Sequence, residues 1–122
     1  MLYIRDTDRG LGVGSRAMLA RAENAIEHLL FGPQPLRRRL AEAYLDYLSP
    51  IPTSAYPTEE LRKIAEAIQA AMTAYTLGNA LDAEHGRIKA AMHLMTGSRA
   101  RSVARLVFRL YTGLVQQALE ES

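Results

Sequence analysis

Thr58-Glu59-Glu60-Leu61-Arg62-Lys63-Ile64-Ala65-Glu66-Ala67-Ile68-Gln69-Ala70-Ala71-Met72 decides the fold of this chain. Leu61, Ile64, Ala65, Ile68 and Met72, followed by Tyr75, recur at three- and four-residue spacing, the period at which side chains share one face of an α-helix. Thr58 is a good N-cap, and Glu59 and Glu60 are placed where carboxylates favour the positive end of the helix dipole. The same stripe continues through Leu77 and Leu81, so the spacing predicts a helix over about 59–84. His85-Gly86 is the expected stop, with Gly86 free to take the left-handed conformation that ends many helices.

The pattern repeats on both sides. Ser15 offers an N-cap to a stripe of Leu19, Ala22, Ile26, Leu29 and Leu30 that ends at Gly32-Pro33, giving a helix over about 16–31. Pro35 suits a first turn, Leu36, Leu40, Ala43, Tyr44 and Tyr47 follow at helical spacing, and Pro50 closes a second helix over about 35–48. Pro50, Pro52 and Pro57 stiffen the linker before Thr58. Ile88, Met92 and Met95 mark a short helix over about 87–96. Ser98 then caps a last one over about 99–119, with Val103, Leu106, Val107, Leu110 and Leu114 facing inward. Residues 1–14, with Leu2-Tyr3-Ile4 and three closely spaced glycines, read as a flexible Gly-rich N-terminal arm. The expectation is an all-α, single-domain bundle of about five helices, residues 15–122, with no internal repeat and no strand ladder.

Composition narrows the function. At 122 residues, 48% hydrophobic and 23% charged, the chain can build one core but not two. It has no Cys, which excludes disulfides, thiolate metal sites and a cysteine nucleophile. No secretory signal is seen and no apolar run approaches the ~18 residues of a membrane span, so a cytoplasmic protein with no membrane partner is expected. His28, His85 and His93 are too scattered to converge on a metal. No nucleophile elbow or paired-carboxylate spacing is present. Gly10-Leu11-Gly12-Val13-Gly14 lacks the spacing of a dinucleotide loop and the lysine of a P-loop. An enzyme, a cofactor and a small-molecule substrate are not expected.

Net charge is only +2, but its type is informative. Lysine occurs only at Lys63 and Lys89; every other basic side chain is arginine, whose planar fork suits phosphate and stacks on bases. Arg101, Arg105 and Arg109 fall at i, i+4 and i+8, one above another along a helix. Thr112 and Gln116 continue that face and Phe108 lies beside it. A rise of about 6 Å per pair is close to the phosphate repeat of a single strand, and an aromatic among the arginines can stack a base or pack on a neighbouring subunit. Arg37-Arg38-Arg39 is the other conspicuous group. Consecutive helical residues splay by about 100°, so these three form no flat patch. A solvated face with one arginine laid along the core edge is expected, phosphate contact at Arg37 and Arg38 being the second reading.

Thr76–Leu110 resembles the C-terminal part of the small all-helical subunit of CRISPR guide-RNA surveillance complexes of the Cascade type. The features that carry the resemblance are Leu77-Gly78, Ala80-Leu81, Gly86-Arg87-Ile88, the short helix that follows, and the Arg/Leu-rich helix after a polar turn. They cover about a third of the chain. The resemblance implies a structural role without catalysis, among guide-RNA ribonucleoprotein backbone subunits and copies of the chain itself. Its basic residues would steady single-stranded or heteroduplex nucleic acid through phosphates while base pairing reads the sequence. Carried onto this chain, those residues are Arg87, Lys89, Arg99, Arg101, Arg105 and Arg109. Two other readings remain open. Residues 87–106, with Gly97 in a turn, have the outline of a helix-turn-helix in a small dimeric DNA-binding regulator. The third is a helical protein-interaction adaptor without nucleic acid.

Overall fold

In a computed structural model of the chain, which describes residues 14–75 and 83–121, the apolar stripes do form helices, and several of their ends move. The elements are α1 (Ser15–Phe31), α2 (Leu36–Ala43), α3 (Glu59–Met72), α4 (Ala83–Leu94) and α5 (Gly97–Glu121). A π turn over Tyr44–Leu48 extends α2, and a short 3-10 turn, Thr53–Ala55, precedes α3. There is no strand among the described residues. The chain is all-α. The expected arm lies outside the described residues, apart from Gly14.

α5 is the hub. Ala100, Val103, Val107, Leu110 and Leu114 on its inner side are buried, and the helix packs chiefly on α1 and α3, and also on α2. Facing them are Met18, Ala22, Ala25, Ile26 and Leu29 of α1 and Leu61, Ile64, Ala65, Ile68 and Met72 of α3. Each large aliphatic side chain so buried stabilises the fold by about 1.5–3 kcal/mol relative to exposure. Where α3 crosses α5 the backbone is glycine: a Cβ on Gly113 would lie 2.5 Å from Leu61 Cδ2. Gly113 therefore leaves the space that the Leu61 side chain fills at this crossing.

The helix ends show where local chemistry overrides the apolar period. α3 does not run to 84 but stops at Met72. Thr73 leaves the helical region (φ −109°, ψ 10°), and its hydroxyl and its N–H both donate to the Gln69 carbonyl, at 2.7 and 3.0 Å. A threonine that bonds back in this way competes with the next helical turn. Leu77 and Leu81, the expected continuation, lie outside the described residues. Gly86 is not a stop; it lies inside α4, which begins at Ala83.

Two caps also differ. Gly14, not Ser15, is the N-cap of α1, and the Ser15 hydroxyl instead donates to Glu121 Oε2 at 3.0 Å, tying the start of α1 to the end of α5. Thr96, not Ser98, caps α5: its Oγ1 accepts from the Arg99 N–H at 3.1 Å and its carbonyl from the Ala100 N–H at 2.9 Å. Thr58 caps α3 as expected, accepting from the Leu61 N–H at 3.1 Å. Leu30, assigned to the inner stripe of the first helix, is 55% exposed, whereas Met18 and Ala25 are buried there.

Pro50 follows the π turn and leaves a carbonyl within it without a backbone donor. A proline has no N–H for the carbonyl four residues back, here Asp46. Arg21 of α1 supplies the missing donor, its Nη2 reaching the Asp46 carbonyl and its Nε the Tyr47 carbonyl, both at 2.8 Å. The Ser49 N–H closes the wide turn on the Tyr44 carbonyl at 2.7 Å.

Candidate nucleic-acid interface

The outer side of α5 carries the candidate site. Because Val103, Val107, Leu110 and Leu114 point into the core, residues half a turn away must face outward, and Arg101, Arg105, Phe108, Arg109, Thr112 and Gln116 are all exposed. From Arg101 to Arg109 the row spans about 12 Å along the axis. None of these three guanidinium groups has a hydrogen-bond or ion-pair partner among the described residues, so their donors are available to a ligand. Phe108 is 37% exposed between Arg105 and Arg109.

The row is not uniform. Arg109 borders a shallow groove between α3 and α5 whose floor is Ile64, Ala67 and Leu106 and whose far wall carries Glu59, Glu60 and Lys63. Glu59 is engaged with Lys63 at 3.5 Å, both side chains being largely exposed, so the pair adds little to stability. Those carboxylates reduce the positive field at Arg109, while Arg101 and Arg105 stand farther along the helix. At the opposite end Gln116 leans towards Glu120, 3.4 Å from Nε2 to Oε2, and the acidic Glu120 and Glu121 close the face. The cationic part of α5 is its N-terminal half.

The other candidates are distributed differently. Arg99 is exposed, but at about 100° per residue it stands far round the helix from Arg101, so it does not extend the row. Arg87 and Lys89 are exposed on α4, about 200° apart around that helix. α4 packs on α2 and α3, and among the described residues it shares almost no packing with α5. The structure brings Arg101, Arg105 and Arg109 together and leaves Arg87 and Lys89 on a separate surface.

Arg37 and Arg38 have partners within the fold. Arg37 Nη1 donates to the carbonyls of His93 (3.2 Å) and Met95 (3.1 Å), closing the C-terminal end of α4. Arg39 Nη1 donates to the Leu29 carbonyl and its Nε to the Gln34 carbonyl at 2.7 Å, doing the same for α1. A cation at a helix C-terminus opposes the negative end of the dipole and satisfies carbonyls that have no intrahelical partner. Arg38 Nε donates to Glu42 Oε2 at 3.0 Å while His28 Nε2 and Glu42 Oε1 are 2.9 Å apart. These hydrogen bonds, Arg38 first and His28 second, hold the Glu42 carboxyl below its usual range. The arginine run is thus a clasp at the start of α2, made by side chains of which Arg37 and Arg38 remain exposed to solvent as expected. The half-buried Arg39 matches the one arginine expected along the core edge.

Sequence reasoning missed Arg21 and the Glu42 contact with His28. Arg38 and Glu42 at i, i+4 were a readable signal; the partners of Arg21 and His28 depend on how α1 and α2 meet. Tyr56 is buried beside a cavity of about 60 Å³ lined by Tyr44, Ser49, Thr53 and Gln69 among others. Burial pushes its hydroxyl well above the usual tyrosine value. Among the described residues no three His, Asp or Glu side chains are grouped to hold a metal ion, and no helix is long and apolar enough to cross a membrane. No family model, curated protein or solved structure matches this chain.

Proposed function

We propose that the chain is a non-catalytic subunit that holds nucleic-acid backbone along the outer side of α5. The observation that carries this reading is the row Arg101, Arg105 and Arg109, exposed at one-turn spacing with no partner among the described residues. Desolvating three arginines against phosphates releases counterions and needs no base-specific contact. Arg37 and Arg38 drop to a minor place in this reading, because Arg37 is already engaged at the end of α4 and Arg38 with Glu42.

The finer form of the proposal follows the resemblance of residues 76–110. The chain would then be the small subunit of a CRISPR guide-RNA surveillance complex of the Cascade type, in the cytoplasm, set beside backbone subunits and copies of itself. It would steady a target or displaced strand through phosphates. Arg87 and Lys89 on α4 would meet a second stretch of strand or a neighbouring subunit.

The helix-turn-helix regulator fits less well. That motif needs its two helices packed on each other so that the second is held out into a major groove, whereas α4 and α5 part directly after Met95-Thr96. The experiment that separates the readings is binding of oligo-dT, its heteroduplex with RNA and random duplex DNA at several salt concentrations. The proposal expects sequence-independent binding that weakens steeply with salt and is lost in Arg101→Ala/Arg105→Ala/Arg109→Ala. Salt-resistant binding to one palindromic duplex would overturn it.

A further inference from the structure

Arg101, Arg105 and Arg109 do not lie on one straight line. At about 100° per residue, each is turned about 40° further round α5 than the one before it. The groove against α3 begins beyond Arg109, with Leu106 in its floor. Phe108, seven residues after Arg101, stands about 20° from it on the other edge of the row. Passing round the surface of α5, the order is the groove with its acidic far wall, Arg109, Arg105, Arg101 and then the phenyl ring. Along the axis the ring is about 4.5 Å beyond Arg105 and about 1.5 Å short of Arg109. Among the described residues it is the only large apolar side chain that α5 exposes in its cationic half.

We infer that the strand held on α5 is single, with its phosphates on the arginines and an unpaired base laid on Phe108. The inference rests on the arginine reading and adds to it the class of nucleic acid and the way its bases turn. Arginines at one-turn spacing meet successive phosphates, and the base between the phosphates at Arg105 and Arg109 then hangs at the height of the ring. Glu59 and Glu60 across the groove disfavour phosphate on that edge, so the backbone keeps to the arginines and the bases turn to the Phe108 side. Every base has a π-face, so stacking adds affinity without sequence preference. In a duplex those faces are already covered by neighbouring base pairs. A duplex set on the same arginines would press the ring against sugars and phosphates, stripping water from charged oxygens with no hydrogen bond in return. Phe108 is therefore the residue that selects single strand over duplex.

The test compares binding of the full chain to oligo-dT, to an abasic strand of the same length and to a random duplex, across a series of salt concentrations. Oligo-dT should bind about five- to a hundredfold more tightly than the abasic strand, the worth of one base stacked on an aromatic. Phe108→Leu should bring oligo-dT down to the abasic level while leaving the salt slope unchanged, since the phosphate contacts are untouched. Phe108→Tyr should keep the native affinity. Circular dichroism should match the native chain in both variants, because the side chain is exposed. Equal affinity for oligo-dT and the abasic strand, or for oligo-dT and the duplex, would overturn the inference and leave the arginine reading in place. So would an oligo-dT affinity unmoved by Phe108→Leu, or an equal fall for the abasic strand, which would make the ring a protein contact. Absence of salt-dependent binding to all three would defeat the arginine reading, and the inference with it.

Discussion

Identical side chains have opposite roles in this protein, decided by what their donors reach. Arg39 is half-buried and satisfies the Leu29 and Gln34 carbonyls; Arg105 is exposed and satisfies none. Arg39→Ala should therefore cost about 1–3 kcal/mol, the penalty for orphaned carbonyls and a lost charged donor. Arg105→Ala should stay within about 0.5 kcal/mol, as for other surface substitutions. Urea denaturation of the two variants checks the contrast, and equal losses would contradict it. Glu42 gives a pH-dependent counterpart. Its carboxyl titrates below the unfolded value, so its stabilisation is complete above that value, about pH 4.3, and fades as pH falls through the lower folded value. The stability gap between the native chain and Glu42→Gln should shrink from pH 5 to pH 3. A gap that stays constant over that range would mean the carboxylate is not what Arg38 and His28 hold.

At the level of the helices, the apolar stripes were legible and the ends less so. Period-3.6 spacing located Leu61 to Met72 and Val103 to Leu114 because burial on one face dominates the energy there. Ends depend on one or two hydrogen bonds, and these fall elsewhere: Thr96 rather than Ser98 caps α5, and Thr73 ends α3 well before Gly86. The arginine row of α5 was readable for the same reason as the core stripe, since the two are opposite sides of one helix. The clasp was not, because nothing in Arg37-Arg38-Arg39 specifies which helix ends will stand nearby. Gly113 was also silent in the sequence, and its role is visible only where α5 meets Leu61. Gly113→Ala gains helix propensity of about 1 kcal/mol but overpacks the crossing, a change that typically costs about 1–3 kcal/mol. A net loss of up to about 2 kcal/mol by urea denaturation is expected; a more stable variant would mean that Leu61 moves aside freely.

For the whole molecule, charge is arranged rather than abundant. A net charge of +2 generates little long-range attraction, so association must depend on where the free arginines stand. The N-terminal half of α5 has three in a row with no partner among the described residues, at α2 Arg37 and Arg39 hold helix termini while Arg38 holds Glu42, and the C-terminal end of α5 is acidic. Affinity for a strand should consequently be modest in the isolated chain and highest at low salt.

The most direct test of the central claim is the salt dependence of oligo-dT binding for the native chain and for Arg101→Ala/Arg105→Ala/Arg109→Ala, with urea denaturation of both. For single strands each phosphate contact contributes about 0.7 to the slope of log K against log salt. Losing three contacts should lower the slope by about 2 while the unfolding free energy changes by no more than about 1.5 kcal/mol. An unchanged slope in a folded variant would contradict the claim that the outer side of α5 holds the strand.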